Sequence, residues 1–312
     1  GNSPNFRVSS TTKGRIIQAA KDLNYSPNSM ARSLRFDKTF TLGLFIPYIG
    51  NPVFPEIVQG VEDAATERGY TIFISHLRPQ TTKRKNYLTW LQEKRIDGLI
   101  MATSLIDDSI ISELSDRDFP FVLVNRRATK TNNFVILDDT AGAKIAVDHL
   151  ISLGHRRIAY LSGPLMYDTA IRRLQGYRQS LAENGIDYDG QIVEETDWMN
   201  WTHGRENMSR ILSRDSNISS VFAGNMMSAI AAMSSIREAG LKIPDDISII
   251  TLHDTPLSEI MEPPLTVVKM PLYEMGWHAS NWIINSLEDG NSTIPVILPP
   301  EKLIVRNSTR SI

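Results

Sequence analysis

Eight short apolar runs, interleaved with stretches of helical periodicity, constrain the fold of this chain more than any other feature. From Thr41 onward they read TLGLFI, YTIFIS, DGLIMA, FPFVLVN, RIAYLS, SSVFAG, ISIITL and LTVVK. Most are continuously apolar, as strands are when both faces of their sheet are covered. Between them lie amphipathic segments ending in glycine: PEIVQGVEDAATERG at Gly69, RRLQGYRQSLAENG at Gly185 and NMMSAIAAMSSIREAG at Gly240. Glycine closes helices because it reaches the left-handed conformation without steric cost. The alternation predicts an α/β protein with parallel sheets and right-handed crossovers.

Two such runs are visible, roughly 41–138 and from about Ala141 to 266. A chain of 312 residues, 41% of them hydrophobic, is long enough for about two domains. Beyond the second run lie a further helix, LYEMGWHASNWIINSLEDG, and the segment IPVILPPEKLIVR. They are placed most easily if the chain crosses back between lobes. The reading is therefore two doubly wound parallel-sheet lobes: 40–140 with 268–293, and 141–267 with 294–312. Residues 1–39 precede them. A cleft between such lobes is lined by residues that follow strands.

Several classes of function are excluded or disfavoured. There is no cysteine, hence no disulfide, thiolate nucleophile or cysteine metal site. No apolar run approaches the roughly 20 residues of a membrane span. The polar start GNSPNFRVSS is no secretory signal, so a cytoplasmic protein is expected. No nucleophile elbow, phosphate loop or zinc-protease motif is present, and no metal or cofactor is expected. The first 40 residues hold seven basic side chains against two acidic ones, whereas the whole chain carries −2. A basic arm on an acidic body suggests a polyanionic partner at that end.

The polar and aromatic residues that follow strands are the cleft candidates: Asn125 and Arg126, Asn225, Asp254, Phe54 at the start of a helix, Arg173, and Trp198 and Trp201 in TDWMNWTHG. Carboxylate, amide and guanidinium groups beside flat rings suit a polyhydroxylated ligand. In HDT, His253–Thr255, an aspartate accepting ligand hydrogen bonds is favoured over a catalytic pair.

One stretch resists a purely local account. In SPNSMARSLRFDKTFTLGLFIP, residues Asn28 to Arg35 make about two helical turns, too few to persist alone in water. Together with VSSTTKGRIIQAAKDLNY, TLGLFIPYIGNPVFPEIVQGVEDAA, IDGLIM, HLISLGHRRIAYLSGP, VFAGNMMSAIAAMSSIREAGLKIPDDISIITLHD and PPLTVVKMPLYEMG, the chain from about Val8 resembles the lactose-repressor family of bacterial transcription regulators. The resemblance implies a periplasmic-binding-protein-like pair of lobes, a small effector, most naturally a carbohydrate, and an operator-DNA partner bound as a homodimer. It also implies that Asn28–Arg35 is a hinge helix that folds against its twin in the minor groove. Met30, Ala31 and Leu34 would share a face, Leu34 would wedge between base steps, and Arg32 and Arg35 would lie near phosphates.

The resemblance further implies effector contacts at Arg173 and Asp254, a hydroxyl contact at Asn125, and walls at Phe54 and Trp198. Asn225 matches the first residue of an Asn-Asp pair whose second is Met226 here. The TDWMNWTHG loop leaves Trp198 and Trp201 as alternatives for stacking. The segment before the hinge matches only the third helix of a DNA-binding headpiece, with Ser9 or Ser10 as N-cap and Ile16, Ala20 and Leu23 on one face. A truncated headpiece lacking its reading helix is the expectation. A periplasmic-type sugar-binding protein and a sugar hydrolase are the other readings of a bilobed fold.

Overall fold

The computed structural model describes residues 9–22, 33, 35–76, 86–197, 200–288 and 295–312. It comprises two compact units, 1–40 and 41–312.

In the first unit, Ser10–Asp22 is helical. Its N-cap is Ser9, whose Oγ accepts from the Thr12 backbone N–H at 3.3 Å. Ile16, expected on an apolar face, is exposed. Of the hinge candidates, Asn28, Met30, Ala31, Arg32 and Leu34 lie outside the described residues. Arg35 is exposed, its guanidinium 5.4 Å from the ring of Phe36, which meets Phe40 edge-on.

The second unit holds two six-stranded sheets. The first contains β1 (Thr41–Ile46), β2 (Thr71–His76), β3 (Gly98–Met101), β4 (Phe121–Val124), β5 (Phe134–Leu137) and β11 (Val296–Leu298). Their order is β11-β5-β4-β3-β1-β2, parallel throughout. The second contains β6 (Ile158–Ser162), β7 (Val193–Glu195), β8 (Ser220–Ala223), β9 (Ser248–Leu252), β10 (Thr266–Lys269) and β12 (Lys302–Ile304). Their order is β12-β10-β9-β8-β6-β7, with β12 alone antiparallel. The central strands β3, β4, β5, β6, β8 and β9 are buried along their whole length, which explains their continuous apolar runs.

All eight runs read from the sequence are strands. β5 and β7 were not among them. Val193–Glu195 is a three-residue, half-exposed edge strand reading VEE, with no apolar run to betray it. The boundary at 294 needs correction as well. Val296–Leu298 belongs to the first sheet, pairing with Val135–Leu137, and the chain crosses to the second sheet only for Lys302–Ile304. The two strands are too close in sequence for periodicity to assign them to different sheets.

The glycines foreseen as helix ends at Gly69, Gly185 and Gly240 have φ of 73°, 65° and 76°. Two others allow close helix packing. Gly60, in helix Phe54–Glu67, and Gly276, in helix Leu272–Glu288, bring these helices together so closely that a Cβ on either would run into the other's backbone. The helix 272–288 thus returns to the first lobe after β10. No described helix is long and apolar enough to cross a membrane.

Candidate effector site between the lobes

The site is built where residues just past the strands of one sheet meet those of the other. Asn125 directly follows β4. Its backbone sits in the left-handed region at φ 66°, which asparagine tolerates better than most residues. Its N–H donates to the Val135 carbonyl at 3.1 Å. His253 repeats this arrangement in the second lobe: it follows β9, has φ 72°, and donates its backbone N–H to Val268 at 2.9 Å. Strained backbone held by a ladder hydrogen bond is a recurring way of aiming a side chain at a ligand.

Arg172 and Arg173 project from helix Asp168–Glu183 and are both buried. The fully buried Asp139, which opens helix Asp139–Ser152, takes Nη1 of Arg172 at 2.7 Å and Nε of Arg173 at 2.6 Å. Arg172 also donates from Nε to Asp168 at 2.8 Å and reaches across to the first lobe, to the carbonyls of Leu137 and, at 3.4 Å, Asn125. Asp168 takes a second guanidinium, Nε of Arg127, at 2.8 Å. Burial alone would push the Arg172 pKa down, but the two aspartates more than offset this and hold it above its ordinary value.

Arg173 is aimed by three acceptors: Asp139, the Gly224 carbonyl at 2.6 Å, and Nε2 of His253 at 3.0 Å. A guanidinium offers only donors, so Nε2 accepts and the His253 proton lies on Nδ1. Burial and the neighbouring Arg173 hold the His253 pKa well below its ordinary value, so the ring is neutral. Nδ1 is buried and meets no partner among the described residues; the same holds for Asn125 Oδ1, Ser104 Oγ and Thr169 Oγ1.

Against the residues expected from sequence, the placements divide. Arg173 and Asn125 lie in this polar seam, linked through Arg172. Phe54 is buried at the start of its helix. Asn225 is the N-cap of helix Met226–Glu238, its Oδ1 accepting from Ser228 N–H at 2.8 Å. Trp201 opens helix Trp201–Arg214 and is 38% exposed. Trp198 lies outside the described residues. Asp254 does not contact Arg173, and its buried Oδ1 accepts no hydrogen bond among the described residues. Its carboxylate is held by Arg306 at 2.9 Å, beside Glu259, and the residue facing Arg173 is His253. Asp139, Asp168, Arg172 and Tyr167 carried no local signal. Their roles arise from contacts across the fold.

Two α/β lobes meeting over buried, partly unpartnered polar groups define a bilobed small-molecule-binding protein. Residues 147–309 match the family model described as a periplasmic binding protein-like domain. The chain is 32% identical over 307 residues to the HTH-type transcriptional repressor PurR of Histophilus somni (strain 129Pt), covering 98% of this chain and 92% of that protein. It is 31% identical over 303 residues to the ribose operon repressor of Halalkalibacterium halodurans, covering 97% and 89%. Among solved structures, the complex of the transcriptional regulator CelR with cellobiose superposes with a TM-score of 0.80 at 28% identity, covering 97% of this chain and 92% of that one. A LacI family transcriptional regulator from Enterococcus faecium with bound ribose superposes with a TM-score of 0.78 at 27% identity, covering 87% and 99%. The chain belongs to the lactose-repressor (LacI) family of transcriptional regulators. These relatives are regulators, which sets aside the reading as a periplasmic sugar carrier.

Proposed function

We propose that this protein is an operator-binding transcriptional repressor, acting as a homodimer, whose interlobe cleft takes a small polyhydroxylated effector. Arg173 and His253 from the second lobe and Asn125 from the first contact the effector, with Phe54 as a wall. The observation that carries the reading is the convergence of Asn125 and His253. Each leaves a strand in left-handed backbone, each presents a buried polar atom without a partner among the described residues, and Arg172 and Arg173 connect them. Relatives with cellobiose and with ribose support a sugar-like ligand. The resemblance of residues 28–35 to the family's hinge supports effector control of operator binding.

A thermal-shift screen over sugars, sugar acids and purine bases tests this. A ligand at about 100 Kd stabilises the fold by about 2.7 kcal/mol. Asn125→Gly keeps the left-handed backbone and deletes the amide, and should weaken the hit by about 0.5–1.5 kcal/mol. Unchanged affinity in both Asn125→Gly and His253→Ala would exclude this site. Sedimentation at tens of micromolar tests the dimer.

A further inference from the structure

Arg126 is the buried cation that the seam leaves unbalanced. It follows Asn125 and is 5% exposed, yet it pairs with no carboxylate among the described residues. Its guanidinium lies 3.8 Å over the ring of Tyr167, which belongs to the second lobe, and Nε and Nη1 are buried without hydrogen-bond acceptors among the described residues. The neighbouring carboxylates are already engaged: Asp139 serves Arg172 and Arg173, and Asp168 serves Arg127 and Arg172. Three guanidinium groups thus occupy the two carboxylates, and Arg126 holds neither. Burial lowers the Arg126 pKa to about 10, against the opposing pull of Tyr167 and with a smaller push from Arg173, so the side chain remains charged at neutral pH. Tyr167 offers Arg126 its ring face and its hydroxyl, neither of which supplies the counter-charge of a carboxylate. The N–H groups on Nε and Nη1 are of the kind that bind a planar anion edge-on. The Nδ1–H of His253 adds another buried donor without an acceptor.

We propose that the effector carries an acidic group, a carboxylate or a phosphate, that ion-pairs with Arg126 in the cleft, making the ligand a small polyhydroxylated acid rather than a neutral sugar. The proposal rests on the cleft being the effector site. The acid neutralises part of the excess positive charge, and Asn125 Oδ1 is left to accept from a ligand hydroxyl.

The test uses the full chain in thermal shift and titration calorimetry at matched ionic strength. The probes are glucuronate, gluconate, glucose 6-phosphate, inorganic phosphate and, as neutral controls, glucose, ribose and cellobiose. At least one organic acid should bind saturably where the neutral sugars do not, and which acid binds separates carboxylate from phosphate. Arg126→Gln should weaken that acid about 10- to 100-fold, as loss of a charge-assisted pair does. Arg126→Met, which removes an unpaired buried charge, should melt at or above the parent without ligand and below it with the acid. The proposal falls if no acid raises the melting temperature, or if inorganic phosphate alone does so. It also falls if ligand-free Arg126→Met melts well below the parent. Binding of a neutral sugar that is lost in His253→Ala but kept in Arg126→Gln overturns the acidic effector while leaving the cleft in place. Binding of an acid unaffected by Arg126→Gln, Asn125→Gly and His253→Ala alike overturns the cleft itself.

Discussion

Nη2 of Arg173 lies 3.0 Å from Nε2 of His253, in a wall where both side chains are almost wholly buried. The pair sets the histidine tautomer. It also fixes the guanidinium plane, because Asp139 and the Gly224 carbonyl hold its other edge. His253→Phe fills much of the same volume but removes the acceptor. It should cost about 1–3 kcal/mol, the penalty for an unmet buried donor, measured by urea unfolding.

The histidines predict an acid-sensitive fold. Burial depresses the pKa of His149, His155 and His253 in the folded chain. Between the ordinary histidine value near 6.5 and those depressed values, the unfolded chain binds more protons than the folded one. Stability is therefore full above about pH 6.5 and falls as pH drops below it, by about 1.4 kcal/mol per pH unit for each proton concerned. Urea midpoints between pH 7.5 and 5.5 should show this slope. His253→Asn should reduce it by one proton; an unchanged slope would mean that His253 titrates normally.

Two aspartates should behave differently when neutralised. Asp139→Asn leaves Arg172 and Arg173 buried without their shared carboxylate and should cost about 3–5 kcal/mol. Asp254→Asn breaks a partly solvated pair with Arg306 and should cost about 1–3 kcal/mol. Denaturant titrations of both proteins, side by side, check the ranking.

The contact between helices Phe54–Glu67 and Leu272–Glu288 should tolerate no side chain at its centre. Gly60→Ala and Gly276→Ala each place a methyl against backbone of the opposite helix. Both should destabilise by about 1–3 kcal/mol or more, although alanine favours a helix over glycine by up to about 1 kcal/mol. Differential scanning calorimetry separates the outcomes. A raised melting temperature would show that the helices can part at little cost.

The sequence by itself determined the α/β class, the central strands and the glycines that end the helices. These follow from local physics: burial on both faces makes a strand uniformly apolar, and a left-handed helix end selects glycine. It also placed Asn125 just past a strand, where the structure has it. Tertiary structure decided the rest. The assignment of Val296–Leu298 to the first sheet and Lys302–Ile304 to the second depends on pairing partners more than 30 residues away, which no local pattern encodes. The choice between His253 and Asp254 turned on a single backbone reversal, φ 72°, that aims one side chain at Arg173 and sends its neighbour to Arg306. The charge imbalance at Arg126 is equally invisible along the chain. Arginines 126 and 127 look alike there, but folding gives Asp168 to one and the face of Tyr167 to the other.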